Sequence, residues 1–179
     1  RVRAHYSRSD LAERVRNALD RVGVDLSDLQ VDDLGGLDQL HAGGRAATEH
    51  VLDRLELSDS SRLLDVGCGV GGPSRLAAAL YGCQVSGIDL SSDFVSLARD
   101  LTERVGMSDR VTFEQGSATA LPFEDASRDR AMIIHAGMNI EEKGRVFSEV
   151  RRVLRPDGLF AVYEEMRTGE GDLEFPLPW

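Results

Sequence analysis

The stretch Leu63-Leu64-Asp65-Val66-Gly67-Cys68-Gly69-Val70-Gly71-Gly72-Pro73 constrains this chain more than any other. An apolar run of strand character meets an acidic residue, then a glycine-rich turn, then a small-residue helix expected over about 73–80. That order is the first strand, turn and helix of a nucleotide-binding parallel sheet. Gly67, Gly69 and Gly72 satisfy the dinucleotide spacing G-x-G-x-x-G, while Gly67, Gly69 and Gly71 satisfy a tighter G-x-G-x-G, suited to backbone lying against a nucleoside. The glycines leave both open.

Asp65 separates them by charge. A pyrophosphate over this turn relies on free N–H groups and the positive end of the following helix, and a carboxylate two residues before the first glycine opposes it. S-adenosylmethionine (SAM) has no phosphate and carries an ammonium and a sulfonium, so the same carboxylate favours it. The plainer role for Asp65 is to end a strand and cap a turn. At this point the sequence resembles the class I SAM-dependent methyltransferases, whose first motif reads much as Leu64-Asp65-Val66-Gly67-Cys68-Gly69 does. The resemblance implies a Rossmann-like α/β fold with SAM as cofactor, held in part by Asp65, Gly67, Cys68 and Gly69.

Composition narrows the partners. A chain of 179 residues with 41% apolar and 29% charged residues suits one globular domain with a sizeable core. A net charge of −10 without a large Lys/Arg cluster argues against nucleic acid, which needs a basic face, and for a small or neutral substrate. Cys68 and Cys83, the only cysteines, read as small buried thiols in a reducing compartment rather than a disulfide or metal site. His5, His41, His50 and His135 show no metal-ligand spacing. No apolar run approaches the ~20 residues of a membrane span and no signal peptide is visible, so the cytoplasm is the expected compartment. The chain starts at Arg1 without an initiating Met, which leaves a longer natural N-terminus open.

Before the glycine turn, Leu11, Val15, Ala18, Leu19 and Val22 predict a helix over 10–22, capped by Ser9 or Asp10. Residues 23–40 are acidic and broken by Gly35-Gly36, a connecting loop or short helical turns, and a second helix is expected over roughly 45–55. By resemblance, 1–57 form an N-terminal helical cap, 58–165 the SAM-binding core and 166–179 an extended C-terminal segment. His5-Tyr6-Ser7, Asp38-Gln39-Leu40-His41-Ala42-Gly43-Gly44 and His135-Ala136-Gly137-Met138-Asn139-Ile140 resemble the small-molecule branch that includes sarcosine/dimethylglycine and tocopherol methyltransferases. That branch implies a Tyr6 that closes over the cofactor, with Gln39 and His41 lining the site. On physical grounds alone, Tyr6 is as readily an exposed aromatic near a frayed terminus.

After the turn, residues 83–90 predict a second parallel strand that ends in Asp89, followed by Leu90. A carboxylate ~20 residues past the glycine turn, at the tip of the next strand, can accept both hydroxyls of a ribose. Ser91 or Ser92 can cap the next helix, with Phe94, Leu97, Ala98, Leu101 and Val105 as its core stripe. Residues 111–115 form the third strand, and Gly116-Ser117-Ala118 stands where the family usually has Gly-Asp-Ala, whose Asp takes the adenine amino group. Ser117 accepts more weakly than a carboxylate, which implies weaker cofactor affinity. Leu121-Pro122-Phe123 fits a turn near the adenine.

The fourth strand, about 130–134, follows Arg128-Asp129 where relatives have Phe-Asp, a lost apolar anchor with a small stability cost. His135, Ala136, Gly137, Met138 and Asn139 stand at its carboxyl end, in the crevice where open α/β sheets bind ligands. No Asp/Asn-Pro-Pro-aromatic sequence occurs there, which counts against methylation of a nucleobase amino group. Asn139 can cap a helix over 141–154 that turns Val146, Phe147, Val150, Val153 and Leu154 to the sheet. Arg155-Pro156-Asp157-Gly158 then stops the helix before a fifth strand over 159–164.

The expected fold is a doubly wound sheet of five parallel strands in order 3-2-1-4-5, lacking the last two strands usual in the family. The free edge of strand 5 calls for cover by a second copy or a further segment. Methyl transfer from SAM is an in-line displacement at an activated methyl, so the protein supplies alignment and exclusion of water. Where a proton must leave, His135 is the candidate base, with a positioning or core role as the alternative. His41, Met138 and Asn139 are the candidate acceptor contacts. Two rivals stand beside methyl transfer: a SAM-binding or assembly module without catalysis, and a nicotinamide-dependent oxidoreductase, which Asp65 disfavours.

Overall fold

The structure is a computed structural model that describes residues 11–21, 23–25, 28–39 and 41–165. Helix α1 spans Leu11–Arg21, a 3-10 turn spans Val31–Leu34, and short α2 (Gly35–Asp38) precedes α3 (Gly44–Asp53). The core then alternates β1 (Arg62–Val66), α4 (Gly72–Tyr81), β2 (Gln84–Asp89), α5 (Ser92–Arg104) and β3 (Val111–Gln115). Strand β4 (Arg128–Ile134), a 3-10 turn (Gly137–Asn139), α6 (Lys143–Val153) and β5 (Leu154–Tyr163) complete it.

All four pairings are parallel and the order is β3-β2-β1-β4-β5, as expected from the sequence. β1 is central because it can be: Leu63, Leu64 and Val66 are all fully buried, the continuous apolar run of a strand covered on both faces. Alternation along it feeds two cores. Leu63 joins Leu52, Leu76, Ala77, Val85 and Met132 on one face, while Leu64 and Val66 join Ile88, Ile133, Val146 and Val150 on the other. A third cluster seats α1, through Val15 and Leu19, on Leu97 and Leu101 of α5. Each such side chain contributes about 1.5–3 kcal/mol when buried.

The glycine turn needs both glycine patterns, for different reasons. Gly67 and Gly71 adopt left-handed φ of 74° and 84°, and an added Cβ would meet Ala136 and Phe113 at 2.4 Å. Gly72 has ordinary φ but lies under the cap, where a Cβ would sit 2.0 Å from the Asp38 carbonyl oxygen. Cys68 and Cys83 are free and buried; burial pushes the Cys68 thiol up, and that of Cys83 to about 11, which leaves both unreactive. Among the described residues, no helix is long and apolar enough to cross a membrane.

Several local expectations change. Ser91 caps α5 by accepting from Phe94 N at 3.3 Å, but the buried stripe runs through Val95, Leu97, Ala98 and Leu101. Phe94 faces the ligand cavity instead, one position round the helix. Asn139 does not cap α6: it ends the 3-10 turn, and Glu142 occupies the cap position, so the helix starts at Lys143. Phe147 is 49% exposed and rests edge-on against Phe160 rather than in the core. β5 begins at Leu154, with four of its residues set against one of β4 between the Arg128–Leu154 and Arg130–Leu159 pairs. The expected stop at 155–158 is therefore an irregularity inside the strand.

Arg128 replaces the apolar anchor with another contact. Its guanidinium stacks over Phe123, 4.2 Å from the ring centroid, and donates to Ser86 Oγ at 3.3 Å. Asp129 accepts from the Arg62 backbone N–H at 2.8 Å and pairs with Arg155.

Candidate functional site

A cavity of about 680 Å³ opens over the carboxyl ends of the strands, beneath the segment 11–41. Open parallel sheets place ligands here because successive turns diverge on either side of the first strand. The end of β1 contributes Asp65 and the turn after it Gly67, Cys68 and Gly69; the end of β2 contributes Asp89, with Leu90 after it; Ser117 and Ala118 come from beyond β3, and His135 and Asn139 from beyond β4. His41, Asp38 and Leu37 enclose it from above, with Leu11 and Val15 of α1. Residues scattered over the whole chain thus meet in one space.

Asp65 is 2% exposed and accepts from Ser74 Oγ at 2.6 Å, a bond supplied by the first turn of α4. Burial pushes its carboxyl up to about 7, against the Ser74 bond, with Asp89 adding to the rise. Such a carboxyl gains most from a cation brought into the cavity, since no Lys or Arg lines it among the described residues. Asp89 accepts from Gly69 N at 3.0 Å with one oxygen and from Ser91 N at 2.8 Å with the other. Its pKa is also raised, first by burial, with these N–H bonds acting in the opposite direction. A carboxylate offers about four acceptor positions, so capacity remains for a ligand hydroxyl.

The remaining predicted residues divide. Ser117 lines the cavity, yet its hydroxyl bonds Thr119 Oγ1 at 2.8 Å and accepts from Thr119 N at 3.2 Å. Leu121 is buried in the core cluster under α6 and is not part of the cavity wall. Gln39 is absent from the wall as well; it accepts from Thr48 Oγ1 at 2.6 Å and lies 3.2 Å from His41 Nε2, which in turn is 2.9 Å from Thr48 Oγ1. Met138 lines a separate apolar cleft of about 320 Å³ behind the turn after β4. Tyr6 lies outside the described residues.

His41 and His135 face one another with ring centroids 6.3 Å apart. His135 has a left-handed φ of 55°, its N–H donates to Tyr163 O at 2.8 Å, and its Nε2 lies 3.6 Å from the Glu165 carboxylate.

Sequence reasoning missed the pin that holds the cap. Arg75 is fully buried and its five donors all find acceptors: Asp38 twice, Val70 O, Ala98 O and Thr102 Oγ1. Burial raises the Asp38 pKa, and the guanidinium counters it. The partners stand 37 residues apart, so no local pattern could announce them. Thr48, which bonds His41, and Phe94, Glu141 and Glu142, which line the cavity, were missed as site residues for the same reason.

Comparison with known proteins agrees with this fold. The family described as "Methyltransferase domain" matches residues 64–162. The methyltransferase GfsG of Streptomyces halstedii is 36% identical over 140 residues, 78% of this chain and 50% of that protein. The crystal structure of the [4+2]-cyclase SpnF is 30% identical with a TM-score of 0.69, covering 90% of this chain and 58% of the other. A geranyl diphosphate methyltransferase in complex with GPP and sinefungin is 27% identical with a TM-score of 0.65, covering 68% of this chain and 45% of the other. The chain spans half or less of the length of the curated relatives it matches.

Proposed function

The chain belongs to the methyltransferase domain family, and on that premise we propose that it binds SAM and passes the methyl group to N, O or C of a small acceptor. The observation that carries the proposal is Asp65: a buried carboxyl raised to about 7, in a wall without Lys or Arg among the described residues, suits an ammonium and opposes a phosphate. SAM supplies a methyl on a positively charged sulfur, which leaves as a neutral thioether when the acceptor takes the methyl. Asp65 holds the amino group and Asp89 the ribose hydroxyls. The Gly67–Cys68–Gly69 backbone lies along the ligand, Leu90, Ser117 and Ala118 surround the adenine, and Tyr6 closes over it.

The acceptor end is the wall of His41, His135 and Asn139. There the protein aligns the nucleophile and excludes water, and His135 takes a proton where the acceptor must lose one. Gln39 acts through His41. The acceptor is uncharged or cationic, since the lining residues Asp65, Asp89, Glu141 and Glu142 meet no Lys or Arg of the same wall, and Asp38 is already paired with Arg75. We place the protein in the cytoplasm and expect a second copy or a further segment over the β5 edge, where Val162 is exposed. The division into a 1–57 cap, a 58–165 core and a C-terminal segment is part of the same proposal.

A SAM-binding module that moves no methyl is the second reading. It draws on the 30% identity and 90% coverage shared with a protein named for a cyclase. Calorimetric titration with SAM, S-adenosylhomocysteine (SAH) and NAD tests the first half: micromolar binding of SAM and SAH without NAD is expected, and NAD binding would overturn it. SAH released over an acceptor screen, with none released without acceptor, separates transfer from bare binding.

A further inference from the structure

The match to the methyltransferase domain ends at residue 162, and the three residues that follow it contact His135 and Ala136 of the cavity wall from behind. Tyr163 O accepts from His135 N; its hydroxyl donates to Ala42 O at 3.2 Å, and its ring lies 6.2 Å from that of His41. Glu164 takes the next three amides of the turn in succession. Its Oε1 accepts from Ala136 N at 3.1 Å and Gly137 N at 2.5 Å, and its Oε2 from Met138 N at 3.3 Å. Gly137 makes room for this, since a Cβ there would meet Glu164 Oε1 at 2.8 Å.

The turn thus carries strain and a clamp at the same place. A left-handed conformation costs a non-glycine residue on the order of 1–3 kcal/mol and persists only where its surroundings over-determine it. His135 bears that conformation, and the bonds on either side of it end on Tyr163 and Glu164. Without Glu164, three consecutive N–H groups lose this acceptor, and the backbone on the far side of the strained residue loses its clamp.

We propose that Glu164, seconded by Tyr163, is a positioning residue that holds His135 and Asn139 at the acceptor end of the cavity by clamping the amides of 136–138. It rests on the reading of that wall as the acceptor site. Glu164 touches no ligand in this arrangement; it acts through the turn.

The test uses the full chain with Glu164→Ala and Glu164→Gln. Gln keeps the oxygen that serves Ala136 and Gly137 while losing the charge, so the pair separates geometry from electrostatics. Two readouts are taken on ligand-free protein: hydrogen exchange at the amides of 136–138, and the NMR chemical shifts of the His135 imidazole, which faces His41 and Glu165 besides this turn. Glu164→Ala is expected to exchange those amides roughly tenfold faster and to move the His135 ring signals, with Glu164→Gln within about threefold of wild type at Ala136 and Gly137, Met138 losing its acceptor in both variants, and β1 to β3 unaffected. Equal shifts in both variants would assign the effect to charge and overturn the proposal. Unchanged exchange in Glu164→Ala, or a rise spread evenly over β4 and β5, would overturn it too. SAH titration of the wild type fails separately: no binding there sinks the cofactor reading, while the exchange comparison still decides the clamp.

Discussion

Asp65 and Asp89 sit at the tips of neighbouring strands, yet their surroundings give them different work. Asp89 is bonded to two backbone N–H groups and keeps acceptor positions open, so Asp89→Ala should weaken SAH binding by about 1–3 kcal/mol. Calorimetry that finds the affinity unchanged would remove Asp89 from the ribose. Asp65 makes binding depend on pH. The ammonium needs the ionised carboxyl, so SAH affinity should fall about tenfold for each pH unit below about 7. A flat affinity from pH 7 to pH 5 would separate Asp65 from the ammonium. Stability of the free protein moves the other way: the folded carboxyl keeps its proton up to about 7, whereas the unfolded one releases it near 3.8. The folded state therefore binds more protons in that window, and the Asp65 contribution, full below 3.8, is lost as pH rises through 7. Asp65→Asn should flatten that part of the stability profile; denaturation curves that stay parallel to wild type across the window would contradict it.

At the scale of elements, the cap and the glycine turn are joined by one buried ion pair, and α6 and β5 are joined by packing. Asp38→Asn leaves Arg75 buried without its counter-charge, which should cost about 3–5 kcal/mol in urea denaturation. Asp32→Asn opens the solvent-exposed pair with Arg45 and should shift the denaturation midpoint far less, because water screens it. Equal costs would show that the Asp38–Arg75 pair does not pin the cap. The elements themselves were legible. Strand β3 follows the expected bounds, and α1, α3 and α4 lie within a few residues of theirs, because apolar period and glycine breaks are local signals. The misses were rotations and ends. Phe94 and Phe147 fit a helical stripe by spacing, but each lies at its margin, where the neighbouring element decides between core, cavity and solvent. Asn139 had the chemistry of a cap, yet its N–H closes a 3-10 turn on Ala136 O, so it ends that turn instead.

For the molecule as a whole, charge and architecture limit the chemistry together. A net charge of −10 and a wall without Lys or Arg among the described residues predict that geranyl diphosphate does not bind the SAH-loaded protein. Micromolar binding in a titration would refute the uncharged or cationic acceptor. The glycine turn and the two strand-tip carboxylates could be derived from the chain alone, since each rests on residues close in sequence, and the sheet order followed from the strand–helix alternation that a doubly wound sheet winds in one way. Which side chains close the cavity could not. Arg75 finds Asp38 37 residues away, His41 meets His135 across the cap, and Glu164 holds a turn that begins 28 residues before it. Such pairs carry no local period, and their partners are chosen only when the sheet brings the strand ends together and burial leaves each polar group no other acceptor.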